Sequence, residues 1–350
     1  MSDSSPLTTA SGVSTASSAS ARRRAVRAVL TAIGPFLGLA IVVSIFVGYQ
    51  FVSEMLWETD RPFLTSVRLI LIAKQTTIVA MGALGMTLII ISGGIDLSAG
   101  SLLALHAVLL AYSLKAGVDP LLAVAIVLAS GLALGALNGI LITALKLVPF
   151  IVTLGTMLIF RGTAEWISRQ RKIQAPAPDW LSTLLDAPPT GSWRLVSTGA
   201  WLVVILGLLL TLVLRRTVVG RYVFAIGSNE ATARLCGLPV NAIKIAVYSL
   251  GGLFMALAGI LNFNDLNKQG SPTEGIGLEL NIIAAVVIGG GSLSGGRGSV
   301  LGSIIGALTM TTLTQGCVYV GVSDPVQKLV IGAIIIAAVA IDQALHRRRV

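Results

Sequence analysis

Polar side chains interrupt the long apolar runs of this chain at Gln75, Thr76, Thr77, His106, Asn138, Thr153, Thr156, Asn262, Glu279 and Asn281. Amides and hydroxyls both donate and accept hydrogen bonds. A lining of this kind suits a neutral, hydroxyl-rich solute better than an ionic one. The plainer alternative for each residue is a hydrogen bond to a neighbouring helix. No nucleophile is paired with a base, and no Cys or His spacing suits zinc. His106 has no partner at metal-ligand spacing and reads as structural. The chemistry on offer is binding and passage, with no bond made or broken, no catalytic residue and no cofactor on this chain.

Two glycine-rich stretches add to this set. The first, Ser92-Gly93-Gly94-Ile95-Asp96-Leu97-Ser98-Ala99-Gly100-Ser101, places two glycines and a carboxylate inside an apolar region. One reading makes Asp96 a helix cap at the membrane face. The other makes the stretch a broken helix whose backbone lines a cavity. Gly93, Gly94, Asp96, Ser98, Gln75, Asn138 and Asn281 are the candidates for a pathway or gate. The second stretch, Ile288 to Ser299, resembles a phosphate loop but fails it: Arg297 stands where Lys is needed, and Gly298 where Ser or Thr is needed. It reads as a tight turn. IISGGIDLSAGSLLAL and VIGGGSLSGGRGSVLG also resemble each other, which suggests an internal repeat.

A third feature is a basic, polar island from Arg215 to Lys244 between two apolar runs. Arg215, Arg216, Arg221, Glu230, Arg234 and Lys244 would each cost about 3 kcal/mol at the centre of a bilayer, so the island stays out of lipid. Within it, Ser228 or Asn229 can cap a helix that begins with Glu230 in its first turn. Gly237 and Pro239 stop that helix near Cys236. A two-turn helix across the membrane face fits a cleft in a soluble partner.

The elements that must position these residues follow from composition. Of 350 residues, 55% are hydrophobic and 11% charged. A soluble domain carries about 25% charged residues. The chain therefore reads as an all-α polytopic membrane protein of about ten transmembrane helices. The spans fall near 28–52, 66–91, 97–114, 121–145, 149–167, 199–214, 243–263, 278–290, 299–316 and 326–345. Residues 1–27 read as a disordered cytoplasmic tail, rich in Ser, Thr and Ala before a run of arginines. Residues 168–198 form a long periplasmic loop, and 346–350 a basic cytoplasmic tail.

With the N-terminus inside, 14 of the 25 basic residues face the cytoplasm, against 4 of the 15 acidic ones. That is the expected sign, and it accounts for the net charge of +10 without nucleic acid. Cys236 and Cys317 then lie on opposite sides of the membrane, which excludes a pair. Arg161, Arg169, Arg171 and Lys172 resist the arrangement, because they fall outside. They mark either a docking surface or a misplaced span.

GRYVFAIGSNEATARLCGLPVNAIKIAVYSLGGLFMALAGIL, ELNIIAAVVIGGGSLSGGRGSVLGSIIGAL and GMTLIIISGGIDLSAGSLLAL together resemble the permease subunits of bacterial ABC importers for sugars, of the ribose, xylose, arabinose and galactofuranose type. The likeness covers about residues 65–345. Branched-chain amino-acid permeases are more distant relatives. The resemblance implies two permeases, identical or paired, in the inner membrane, with both termini cytoplasmic. It implies a separate ATPase that binds ATP and magnesium, and a periplasmic binding protein that delivers a pentose or hexose. It makes Gly227, Ser228, Asn229, Glu230, Arg234 and Gly237 the coupling segment to the ATPase. Other polar cargoes (a polyol, a nucleoside, a furanone) remain open, as does a self-contained secondary transporter. The Ser-rich tail departs from the family pattern.

Overall fold

The computed structural model of the chain describes residues 12–57, 62–187 and 196–347. Among these residues, the elements in order are α1 (Gly12–Trp57), α2 (Ser66–Ile91), α3 (Ala99–Lys115), α4 (Pro120–Leu145), α5 (Pro149–Ser168), β1 (Ile173–Gln174), α6 (Asp179–Ser182), α7 (Thr198–Arg216), α8 (Val218–Ser228), α9 (Glu230–Leu235), α10 (Val240–Asp265), β2 (Gln269–Gly270), α11 (Leu278–Ile288), α12 (Val300–Val320) and α13 (Asp324–Arg347).

Local signals set the ends of these helices. α4 starts at Pro120, where the missing N–H costs nothing, and Asp119 accepts from the N–H groups of Leu121 and Leu122 at 3.0 and 3.2 Å. It ends at Lys146 in the left-handed conformation, and Pro149 then opens α5. α12 is capped by Ser299, which accepts from Gly302 N–H at 3.2 Å, and stops at Gly321 with φ of 80°.

Seven of the helices, among the described residues, are long and apolar enough to cross a membrane: α2, α4, α5, α7, α10, α12 and the Ile33–Leu56 part of α1. α3, α8 and α11 are shorter apolar helices. The expected spans at 97–114 and 278–290 are thus short helices, and the one at 326–345 lies within α13, outside the seven. The island at 215–244 holds two helices where the sequence suggested one. α8 was hidden because its buried positions, Gly220, Val223, Ile226 and Gly227, form a narrow face interrupted by Arg221 and Tyr222. α1 begins at Gly12, earlier than expected. Much of the Ser- and Ala-rich stretch therefore continues the first helix, and residues 1–11 lie outside the described part.

α10 stands at the centre, packed on α4, α2 and α3. Small residues let it approach closely. A Cβ built on Gly252 would lie 2.9 Å from the Gly135 Cα of α4. The two strands pair antiparallel, Ile173 opposite Gly270, and so tie the 168–187 segment to the end of α10.

Candidate functional site

The first site is the corner built on α8 and α9. Thr217 caps α8 by accepting from Gly220 N–H at 3.2 Å. Asn229 ends α8 and caps α9, its side chain accepting from Thr232 N–H at 2.9 Å. Gly237, with φ of 78°, turns the chain into α10. Ala233 packs with Ile226 and Val240, which seats the short helix. Leu235 is 89% exposed, an apolar side chain that the described residues leave uncovered.

Glu230 accepts from Arg234 at 2.9 Å and from Lys244 at 2.5 Å. Burial works against its charge, but the hydrogen bonds from Lys244 and Arg234 outweigh that and hold the carboxyl below its ordinary 4.5. Arg234 also donates to the Asn241 side chain at 3.2 Å. A groove of about 520 Å³ runs between these residues and the α4–α5 turn at Lys146, Leu147 and Val148. Sequence reasoning missed that turn, because nothing in its composition ties it to α9.

Behind α9, three turns meet backbone to backbone. Gly93 follows α2, Gly227 lies at the end of α8, and Gly295 and Gly296 lie in the turn before α12. Gly296 N–H donates to the Ile91 carbonyl at 2.9 Å. A Cβ built on Gly227 would strike the Ile91 carbonyl and come within 2.6 Å of Gly296 N. The two glycine-rich stretches that resemble each other are therefore in contact, with a built Gly295 Cβ 2.9 Å from Gly93 Cα.

The Asp96 stretch is buried, with Asp96 at 1% exposure and Ser98 at 0%. A cap lying at the open membrane face does not fit that burial. Asp96 accepts from Ser98 N–H at 2.8 Å and from its hydroxyl at 2.5 Å. Ser98 itself makes no cap bond to α3. Asn138 of α4 donates to Ser98 Oγ at 2.9 Å, and Thr153 of α5 accepts from Leu97 N–H at 3.1 Å. The break between α2 and α3 is thus satisfied by side chains from α4 and α5. Gly94 lies against the Tyr248 hydroxyl of α10.

The second site is a cavity of about 260 Å³ between α2, α10, α11 and α12. Gln75, Asn262, Asp265, Glu274, Asn281 and Thr311 bring polar groups to it. Gln75 accepts from Gln315 at 3.0 Å, and Thr76 is 2.6 Å from Thr311. Of the pathway candidates, Gln75 and Asn281 gather here, while Gly93, Gly94, Asp96, Ser98 and Asn138 belong to the other end. Thr77 and Thr156 bond the backbone of their own helices, to Ala73 and Thr153. His106 is fully buried against Gly259. Cys236 is exposed and Cys317 buried, and both are free thiols.

Long apolar helices around a polar cavity, with a short helix displayed at one end, define a polytopic membrane permease. Residues 68–339 match the family described as branched-chain amino acid transport system / permease component, and the chain belongs to that family. It is 39% identical over 315 residues to the ribose import permease protein RbsC of Bacillus subtilis (strain 168), covering 90% of this chain and 94% of the relative. RbsC of Escherichia coli (strain K12) is 38% identical over 300 residues, 80% of this chain and 87% of the relative. The fructose import permease protein FrcC of Rhizobium meliloti is 36% identical over 290 residues, 81% and 80% of the two chains. No solved structure matches. The relatives are transporter subunits, and this chain is a permease component with no enzymatic role.

Proposed function

We propose that this chain is the permease subunit of an ABC importer for a pentose or hexose. A periplasmic binding protein delivers the sugar, and a separate ATPase, which carries the ATP and magnesium, supplies the energy. Ribose and fructose are the first candidates, because relatives covering most of the chain are named for them. The permease acts as a pair, with itself or a paralogue, in the bacterial inner membrane. Its ten crossings comprise the seven long helices with α3, α11 and α13, and both termini are cytoplasmic. The two contacting glycine-rich turns mark equivalent points of an internal repeat.

The single observation that carries the mechanism is the Glu230–Lys244 contact of 2.5 Å, which fastens α9 to the start of α10. The far end of α10 bears Asn262 and Asp265 on the cavity. Gly227, Ser228, Asn229, Glu230, Arg234 and Gly237 form the coupling segment, and the ATPase grips α9 with Leu235 as its apolar anchor. Closure of the ATPase pulls α9, and α10 moves as a unit with it. Gly93, Gly94, Asp96, Ser98 and Asn138 line the inner gate, and Gln75 and Asn281 face the cargo.

The test is uptake of labelled ribose and fructose by vesicles holding the permease, the ATPase and the binding protein. ATP-dependent uptake that needs all three supports the reading. Uptake by the permease alone under an ion gradient would replace it with a secondary transporter. Uptake of a polyol or nucleoside in place of sugar would keep the class and change the cargo.

A further inference from the structure

The basic cluster near the end of α5 divides in two once it is placed in the fold. Arg161 turns inward, and one terminal nitrogen donates at 2.8 Å to the Pro272 carbonyl and at 2.8 Å to the Glu274 carbonyl. Arg169, Arg171 and Lys172 are exposed. With Lys115 of α3 they rim a groove between the last turns of α3 and α5. The groove has two adjoining lobes, of about 850 and 480 Å³, which share Tyr112, Ile167 and Arg169. The larger lobe adds Leu109, Gly162 and Trp166, and the smaller adds Lys115, Arg171 and Lys172. The groove is therefore apolar toward the middle of α5 and cationic beyond its end.

The rim selects an anion. Among the described residues, Lys115, Arg169, Arg171 and Lys172 join no ion pair. The carboxylate on the lining, Glu165, is drawn to Arg161. Arg169 and Gln170 both take the left-handed conformation, with φ of 53° and 57°, at a helix end where glycine is the usual residue. Side chains kept in that region cluster at ligand-binding positions.

Below the rim the shape changes. Leu154, Leu158, Gly162 and Trp166 follow at intervals of four, so they share one face of α5, and all are exposed. A Cβ built on Gly162 meets nothing among the described residues within 4 Å, which leaves the face open there. Trp166 is 82% exposed and Tyr112 is 53% exposed. They stand where apolar lining gives way to basic, the level that aromatic rings take at a membrane interface. A ligand that meets both halves has an anionic head and a long apolar chain. Free phosphate or an acidic soluble protein would answer the rim and leave the apolar face bare.

We propose that this groove binds an anionic phospholipid of the bilayer, with its phosphate among Lys115, Arg169, Arg171 and Lys172 and an acyl chain along the Leu154–Trp166 face of α5. The bound lipid braces the end of α5, which β1 and β2 tie to the end of α10. It also accounts for three cations that the charge count leaves unexplained. The site concerns the membrane and not the cargo, so it stands or falls apart from the importer reading.

The test places the full chain in phosphatidylcholine vesicles that contain an equal share of either phosphatidylglycerol or phosphatidylcholine brominated on its acyl chains. Bromine quenches the fluorescence of nearby tryptophan. The part belonging to Trp166 is the difference between the wild type and Trp166→Phe. Brominated phosphatidylglycerol is expected to quench that part at about tenfold lower mole fraction than brominated phosphatidylcholine. Arg169→Gln lowers the preference about fivefold, and Arg171→Gln combined with Lys172→Gln removes it. Arg169→Lys, which keeps the charge, keeps the preference. Arg215→Gln, a cation outside the lining, leaves it unchanged. Equal quenching by the two lipids in the wild type, or a preference that survives the Arg171→Gln, Lys172→Gln pair, would overturn the site. Equal quenching together with shielding of Trp166 from acrylamide by the periplasmic binding protein would give the surface to that protein instead.

Discussion

The Glu230 carboxylate lies 2.5 Å from the Lys244 ammonium, and this contact joins the displayed helix α9 to the first turns of α10. The Glu230 side chain is 41% exposed and that of Lys244 is 12% exposed, so the pair is anchored from the α10 side. An ion pair this open contributes only about 0.2–1 kcal/mol to stability. Its importance is therefore expected to show in coupling and not in folding. Glu230→Lys places two ammonium groups together and should abolish uptake with the permease still at normal level in the membrane. The double exchange Glu230→Lys with Lys244→Glu should regain part of the uptake. Labelled-sugar uptake beside an immunoblot of membranes checks both. Normal uptake in the single variant would remove the coupling role.

The same pair sets a pH limit. The folded Glu230 carboxyl titrates below its ordinary 4.5, because Lys244 and Arg234 more than offset the burial that opposes its charge. A depressed carboxyl contributes above its unfolded value, and the contribution is lost as pH falls through the folded value. The groups facing it are all cationic: Arg234, Lys244 and, across the groove, Lys146. Coupling of hydrolysis to uptake should thus be insensitive to internal pH from 8 down to about 5 and fail only below 4.5. Glu230→Gln should lower the plateau and flatten that acid limb. A loss of coupling centred near pH 6 in the wild type would assign the limb to another group.

The buried chain Asp96–Ser98–Asn138 answers a different question, that of assembly. Asn138 donates to Ser98 at 2.9 Å, and Ser98 donates to Asp96 at 2.5 Å. Asn138→Leu removes the donor and leaves the Ser98 acceptor unpaired in a dry site, at a cost of about 1–3 kcal/mol. Heating in detergent should show earlier aggregation of the purified variant, and its membrane level should fall. Thermal behaviour equal to wild type would mean that Ser98 finds another donor.

Much of this arrangement was legible in the sequence, and the rest was hidden for identifiable reasons. Apolar runs marked α2, α4, α5, α7, α10 and α12 within a few residues, because lipid demands length and composition that few other contexts require. Asn229 and Gly237 marked the ends of α9, because caps act through bonds only a few residues away. α8 stayed hidden, since its narrow buried face is diluted by Arg221 and Tyr222. The partners of polar residues were also invisible. Spacing puts Gln75 on a helix face, but only the fold brings Gln315 to it across 240 positions. The partners of Arg161 were invisible for the same reason, since its guanidinium bonds backbone carbonyls 111 and 113 residues away. The Asp96 stretch was read with two meanings, and its burial decides against the exposed one.

Glycines at the α8–α9 corner give the sharpest contrast between position and residue type. Gly227 and Gly237 both belong to the proposed coupling segment, ten residues apart. At Gly227 a methyl group would meet the Ile91 carbonyl and Gly296 N, both backbone atoms that cannot rotate away. Gly227→Ala must therefore push α8 off the end of α2, break the Gly296–Ile91 hydrogen bond, and separate the turns that face α9. At Gly237 nothing among the described residues lies within 4 Å of a built Cβ, and the objection is only its φ of 78°. That conformation costs a non-glycine residue about 1–2 kcal/mol. Gly237→Ala should keep most of its uptake, and Gly237→Asn, which tolerates the left-handed region, nearly all of it. Gly227→Ala should lose uptake almost completely. Comparison of the three by labelled-sugar uptake at matched membrane levels separates close contact from backbone strain. Equal activity for the two alanine variants would show that the junction of Gly93, Gly227 and Gly295 has slack, and motion of α9 would then have to reach the membrane helices through Lys244 alone.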